Sequence, residues 1–321
     1  MYSEQEAREL VIKAGMMLVE RGLVSRTWGN VSARISDKEF IITPSGKAYE
    51  DLSENDLVKV AISDCSYEGE IKPSSEKKIH AAAYSLRSNV NFIIHTHQHY
   101  ACVVGADELD MPFAPCAEYG LPGTDGLKKN VVKCINDNSS CKKFLLAKHG
   151  TLLLGESMDE AFRLSSELEE ECKEQLYKRI PSMDPYNLDT RDVSFLENEN
   201  VLFAKLIQDV FIAECCSAGI KVKPYLDDYA QMIGPDMSVV KNEEKDIKAG
   251  LFGRNAVLVK GIGAICIGET EDDVDAVATI VKKNCCAACY VRKSKPLTRA
   301  DSLLQRYVYL NKYSKLKKEE N

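Results

Sequence analysis

The chain has 321 residues, with 42 Lys and Arg against 49 Asp and Glu, a net charge of −7, and 45% apolar and 28% charged residues. This is globular rather than disordered composition, and a pI near 5.5 speaks against the basic face of a nucleic-acid binder. No apolar run reaches the ~20 residues of a membrane span, and the opening MYSEQEAREL is acidic where a signal peptide is cationic, so a cytoplasmic protein without a membrane partner is expected.

In chain order, residues 4–22 place Leu10, Val11, Ala14, Met17 and Leu18 at helical spacing, with Gly22 as a stop. TWGNVSARI and EFIITPSG read as two strands, and DLVKVAI as a third, with YEGEIK as a polar hairpin. The segment SSEKKIHAAAYSL turns helical, with Ser74 or Ser75 as N-cap. FIIHTHQHYACVVG is a β-branched run that reads as a buried strand entering a helix. KFLLAKHGTLLLGES reads as two short strands around His149 and Gly150, followed by a long amphipathic helix through MDEAFRLSSELEEECKEQLYKRI. Strands and helices mix without strict βαβ alternation. That predicts an α/β chain of the α+β type, a mainly antiparallel sheet flanked by helices.

Polar text without periodicity between Ile180 and Asn200 suggests a linker, 181–200, between domains at 1–180 and 201–321. FLLAKHGTLLLGESMDEAF (144–162) is echoed across it by AVLVKGIGAICIGETEDDVDAV (256–277), with Gly261–Ile262 in place of His149. The second domain is therefore expected to be a degenerate copy without metal ligands. The Lys-rich end KYSKLKKEE reads as a solvated helix end or tail.

All five histidines lie between His80 and His149. On a strand, positions i and i+2 share a face, so His95 and His97 can converge on one ion, as neutral imidazoles do on zinc. By itself such a pair is more often two histidines hydrogen-bonded in a core or facing solvent. His149, beside a glycine that permits close backbone approach, is the natural third ligand. His99 is a rival unless Tyr100–Val104 opens a helix that turns it away. His80, four residues after Glu76 on one helix face, suits a supporting or packing role. Ser74 and Ser75 with backbone N–H groups at a helix start can seat an anion, and the turns Thr43–Gly46 and Thr27–Asn30 are similar small-donor loops. The twelve cysteines read as reduced thiols, and the CxxC of Cys286 and Cys289, in an apolar helix without further ligands, as core thiols.

Six ordered motifs, TWGNVSARI, IITPSGKAYEDL, PSSEKKIHAAAY, IIHTHQHYACVV, PCAEYGLPGT and KHGTLLLGESMDEA, closely resemble the class II aldolase/adducin family over about residues 4–180, nearest to the L-fuculose-1-phosphate aldolase type. The resemblance implies a nine-stranded-type antiparallel sheet, a homotetramer, and Zn2+ or another divalent metal on His95, His97 and His149. It also implies a sugar-phosphate site from Gly29, Asn30, Ser45, Gly46, Ser74 and Ser75, with Glu76 as acid/base. Tyr119 matches a tyrosine that serves a neighbouring subunit's site as proton donor. The implied reaction is reversible cleavage of a ketose phosphate to dihydroxyacetone phosphate and a short aldehyde. Related sugar-phosphate 4-epimerases carry Asp where this chain has Glu76, whereas methylthioribulose-phosphate-type dehydratases share the metal triad. A non-catalytic adducin-like module is the alternative of another class, and adducin heads lack the zinc histidines. Lys148, Tyr100 and a short stretch between Val104 and Pro115 depart from the family pattern.

Overall fold

The computed structural model describes residues 1–24, 28–180, 188–197, 201–219 and 221–313. Thr27, half of the expected linker and the Lys-rich end from Ser314 lie outside these residues. The chain divides into two compact units, Met1–Gln175 and a second that begins at Leu176.

The first unit opens with α1 (Glu4–Glu20), capped by the Ser3 hydroxyl, which accepts from the Glu6 N–H, and burying Ala7, Val11, Ala14 and Leu18. There follow β1 (Asn30–Arg34), β2 (Glu39–Ile42), β3 (Val58–Ala61), α2 (Lys77–Leu86), β4 (Phe92–Thr96), α3 (His99–Gly105), β5 (Cys116–Ala117), α4 (Asp125–Asp137), β6 (Lys143–Leu146), β7 (Gly150–Gly155) and α5 (Met158–Arg179). The strand order is β3-β2-β1-β4-β7-β6-β5. Every pairing is antiparallel except β5 with β6, so the expected sheet type holds, with seven strands among the described residues rather than nine. Strand β4 sits at the centre between β1 and β7, and all five of its residues are buried. A strand covered on both faces needs this unbroken apolar run instead of alternation. On one face Phe40, Ile42, Val60, Ile93, Phe144 and Leu152 pack with Ile79 and Tyr84 of α2 and Val131 of α4 in a single cluster.

The second unit contains β8 (Phe203–Ile207), α6 (Val210–Ala218), α7 (Asp227–Met232), β9 (Val239–Val240), α8 (Glu244–Leu251), β10 (Ala256–Val259), β11 (Gly263–Gly268), α9 (Glu271–Tyr290) and α10 (Arg299–Val308). Its sheet runs β8-β11-β10-β9, with β9 parallel to β10. The hairpin and long helix of β6–β7–α5 recur in order as β10–β11–α9, which is the echo seen in the sequence. Residues 188–197, read from sequence as linker, are folded onto this unit. Leu196 is buried among Ile247, Leu251 and Val257 with Val193 and Phe195 against it, because the string VSFL supplies apolar side chains within polar text. Cys285 and Cys286 are buried in α9 as core thiols, and burial contributes to holding both above the ordinary thiol range. Helix α10 is inverted relative to ordinary amphipathic packing. Its inward residues include Ser302 and Gln305, and Arg306 donates to the Gln231 carbonyl at the end of α7, while Leu303, Leu304, Tyr307 and Val308 face outward.

Candidate metal centre

The site is assembled where β4 ends beside the start of β7. His95 lies on β4, and His97 falls one residue beyond the strand, with its N–H donating to the Leu23 carbonyl at 3.1 Å. His149 sits in the tight turn from β6 to β7, its N–H donating to the Leu146 carbonyl at 3.0 Å. That turn places Lys148 at φ +58°, a left-handed conformation that costs a non-glycine residue energy. The Lys148 ammonium pairs with Glu108, and burial pushes its pKa down to about 8. Gly150 then makes the close approach possible. A Cβ there would stand 3.0 Å from Cε1 of His95 and 3.2 Å from Cδ2 of His97. At the other edge Gly29, at φ +96°, lies so near the His95 carbonyl that a Cβ would meet it at 2.7 Å.

The three imidazoles are all buried, and one ligand atom from each lies within 4.8 Å of the others. The Nε2 atoms of His95 and His97 are 3.0 Å apart, close to the about 3.4 Å that separates two nitrogens on one tetrahedral zinc. His95 Nδ1 is 2.7 Å from the Thr151 carbonyl, an acceptor only, so Nδ1 carries a proton and Nε2 is the nitrogen turned toward the cluster. This partner fixes the tautomer, as outer hydrogen bonds to metal-ligating histidines do. Three buried nitrogen donors with an adjacent carboxylate suit a borderline divalent cation such as zinc. His99 begins α3, where its ring meets that of Tyr100, and is not one of the converging three.

Glu76 completes the cluster. It is the residue before α2, yet its carboxylate makes no capping bond and points at the histidines instead. Oε1 lies 2.8 Å from Nε2 of His149, and Oε2 lies 3.0 Å from Nε2 of His95. Burial alone would raise this carboxyl's pKa, but the adjacent charges and hydrogen bonds of His95 and His149 outweigh it and hold the group well below the usual range. The expected cap at Ser74 or Ser75 is thus displaced to Glu76.

Asn30, expected beside a phosphate, has its amide engaged within the site: Nδ2 donates to Glu76 Oε2 at 3.0 Å, and Oδ1 lies 2.5 Å from His80. The two serine loops come together through the backbone. The Ser45 N–H donates to the Lys72 carbonyl at 2.9 Å and the Ser74 N–H to the Thr43 carbonyl at 3.0 Å. The Ser74 hydroxyl accepts from the Glu76 N–H at 3.2 Å, so these N–H groups, expected to be open to an anion, are occupied within the fold. Ser45, Gly46 and Ser75 are half-buried alongside. Tyr119 follows β5, half-buried, with its carbonyl accepting from Asn130 at 2.9 Å. Trp28 stacks on the His97 ring with centroids 6.4 Å apart. The Thr151 carbonyl and the Trp28 face were not foreseen. A main-chain acceptor leaves no mark in a sequence, although a lone Trp beside the glycine turn was a signal available to be read.

Residues 9–176 match the family model described as class II aldolase and adducin N-terminal domain. A 3-oxo-tetronate 4-phosphate decarboxylase of Pectobacterium atrosepticum is 32% identical over 187 residues, covering 53% of this chain and 84% of that protein. A 5-deoxy-D-ribulose 1-phosphate aldolase of Bacillus thuringiensis is 30% identical over 177 residues, covering 51% and 82%. A solved L-fuculose 1-phosphate aldolase is 30% identical over 56% of this chain and 88% of that one, with a TM-score of 0.49. The match takes in the whole triad, Glu76 and the sheet that carries them, and on that extent the chain belongs to the class II aldolase and adducin N-terminal domain family.

Proposed function

We propose that the first unit is a divalent-metal-dependent carbon–carbon lyase that cleaves a ketose phosphate reversibly to dihydroxyacetone phosphate and a short aldehyde. The observation that carries this reading is the convergence of His95, His97 and His149 on a buried carboxylate, Glu76, in one site. The three histidines would hold the ion, zinc being our choice, and the ion when bound supplies a Lewis acid for the substrate carbonyl.

The residues divide the remaining work. Cleavage breaks the bond between the carbon next to the carbonyl and the carbinol carbon beyond it, and the electron pair moves into the carbonyl. The carbinol hydroxyl loses its proton and becomes the aldehyde, and the former α-carbon takes up a proton. Tyr119 is the group for the hydroxyl proton, acting in a neighbouring subunit's site of a homotetramer. Glu76 is the group for the carbon proton, since its buried carboxylate faces the cluster. Ser45, Gly46, Ser74 and Ser75, with Gly29 and the backbone at Asn30, would seat the substrate phosphate. We assign residues 201–321 to a degenerate repeat without a metal centre, and the protein to the cytoplasm.

A second reading has its own support, the 32% relative named as a 3-oxo-tetronate 4-phosphate decarboxylase. Loss of CO2 from a 3-oxo acid phosphate leaves the same electron pair beside the carbonyl, so the same site would serve. The deciding experiment is elemental analysis of the native protein together with a panel of ketose phosphates and 3-oxo acid phosphates, reading aldehyde and CO2 separately. Aldehyde release with a bound divalent metal is expected. CO2 release alone makes it a decarboxylase, and conversion of ribulose 5-phosphate to xylulose 5-phosphate without aldehyde makes it an epimerase. His149→Ala should lower metal affinity by more than the about 10–100-fold of an outer-partner change. Unchanged metal content and turnover in that variant would overturn the reading.

A further inference from the structure

Behind Glu76 runs a continuous line of buried polar groups that the proposed chemistry does not use. Strand β1 presents Asn30 and Ser32 at i and i+2, on one face, and α2 with its preceding residue presents Glu76, His80 and Tyr84 at i, i+4 and i+8, on one side. The two sets interlock. Glu76 Oε2 is 3.0 Å from Asn30 Nδ2, and Asn30 Oδ1 is 2.5 Å from His80 Nε2. His80 Nδ1 is 2.7 Å from Ser32 Oγ, which is 2.8 Å from the Tyr84 hydroxyl. His80 and Ser32 are fully buried.

Chemistry gives this line a single direction. An ionised carboxylate only accepts, so the Asn30 amide must turn its NH2 to Glu76 and its oxygen to His80. That oxygen also only accepts, so His80 must carry its proton on Nε2. Burial keeps the imidazole neutral, its pKa pushed down to about 3, so Nδ1 is bare and accepts from Ser32. The Ser32 oxygen in turn accepts from Tyr84. Every donor in the line points toward Glu76: a flipped Asn30 amide would set oxygen against the carboxylate, and the other His80 tautomer would set a bare nitrogen against the Asn30 oxygen. A network satisfied throughout is the kind that rigidifies a site, and one broken link leaves buried groups unpaired.

We propose that His80 is a positioning residue that acts through Asn30: its Nε2–H locks the Asn30 amide so that the Glu76 carboxylate is held at one orientation against the histidine cluster. The proposal rests on Glu76 acting as assigned above, but its first test does not need turnover. In the full-length metal-free chain labelled with 15N-histidine, His80 should appear as the neutral Nε2–H tautomer from about pH 5 to pH 9. An Nδ1–H tautomer, or titration near the ordinary ~6.5, overturns the proposal whatever the enzyme does.

The second test separates positioning from folding. His80→Phe fills the space without the donor and should lower kcat about 10–100-fold, with KM within twofold and metal content unchanged. His80→Gln, whose amide can donate to Asn30, should recover most of that loss. If His80→Phe does not fold, Tyr84→Phe and Ser32→Ala test the same line from its far end, with a smaller kcat loss expected. A change confined to thermal stability, with kcat intact in the folded variants, overturns the proposal. If the wild-type chain turns over none of the phosphates offered, the functional reading has failed while the tautomer measurement still decides the lock.

Discussion

At Glu76 two opposing effects meet in one side chain: burial disfavours its charge, and two imidazoles within 3.0 Å favour it more strongly. At His80 burial, helped by the nearby His95, outweighs the pull of the Glu76 carboxylate toward the cation, and Asn30 and Ser32 both suit the neutral ring. The consequence for stability has a definite sign. Between about pH 3 and the ~6.5 of an exposed imidazole, the unfolded chain binds a proton at His80 that the folded chain refuses. Folding free energy should therefore fall on acidification, by about 1.4 kcal/mol per pH unit once the pH is below ~6.5. Glu76, held below its ordinary range, adds to the loss only below about pH 4.5. Urea unfolding of the metal-free chain from about pH 7.5 to pH 5 checks this. The midpoint should drop across the range, and drop less in His80→Phe; parallel curves would exclude His80 as the source.

At the scale of elements, the β6–β7 turn and β4 form one device, and Gly150 is where a Cβ would collide with the Thr96 carbonyl of β4. Its conformation is ordinary and its requirement is space. Gly150→Ala should push β7 from β4, cost about 1–3 kcal/mol as an overpacked core does, and reduce metal affinity through misalignment of both His95 and His97. Thermal unfolding with metal titration measures both effects, and loss of stability with metal affinity intact would show the two strands to be separable from the site. Much of this level was legible in the sequence. The β-branched run around His95, the Lys-His-Gly turn and the long acidic-start helix each carry their own period or punctuation. The triad too could be read, from i, i+2 spacing and a glycine. What stayed hidden depends on contacts across the fold. The short parallel return of β5 beside β6 has two residues and no pattern of its own. The occupation of Asn30 by Glu76 and His80 joins positions 46 and 50 residues apart, and its amide therefore looked available for a phosphate.

For the whole molecule, two compact units, of which the first carries the His95, His97 and His149 triad, predict an asymmetric response to metal. Ligand binding stabilises only what it binds, so excess zinc over chelator should slow amide exchange in β1, β4, β7 and α2 while leaving β8, β10 and β11 unchanged. Equal protection of both sheets would mean that a second site exists. Helix α10 gives the other prediction at this scale. Its Leu303, Leu304 and Tyr307 are exposed, so changing Leu304 and Tyr307 to Lys should alter stability by no more than about 0.5 kcal/mol, as measured by urea unfolding. Period alone would have turned this helix the other way round, since nothing in it announces that Ser302, Gln305 and Arg306 face inward to α7.

Helix α2 begins without a side-chain cap because the residue at its start is turned toward the histidines. Ser, Thr, Asp or Asn at that position would ordinarily give a helix about 1 kcal/mol that Glu76 does not. Selection for thermal endurance alone would favour such a replacement, and a consensus drawn from helix starts in general would recommend it. The residue that stands there is the one a stability-minded redesign would discard first, and discarding it would remove the carboxylate from the cluster.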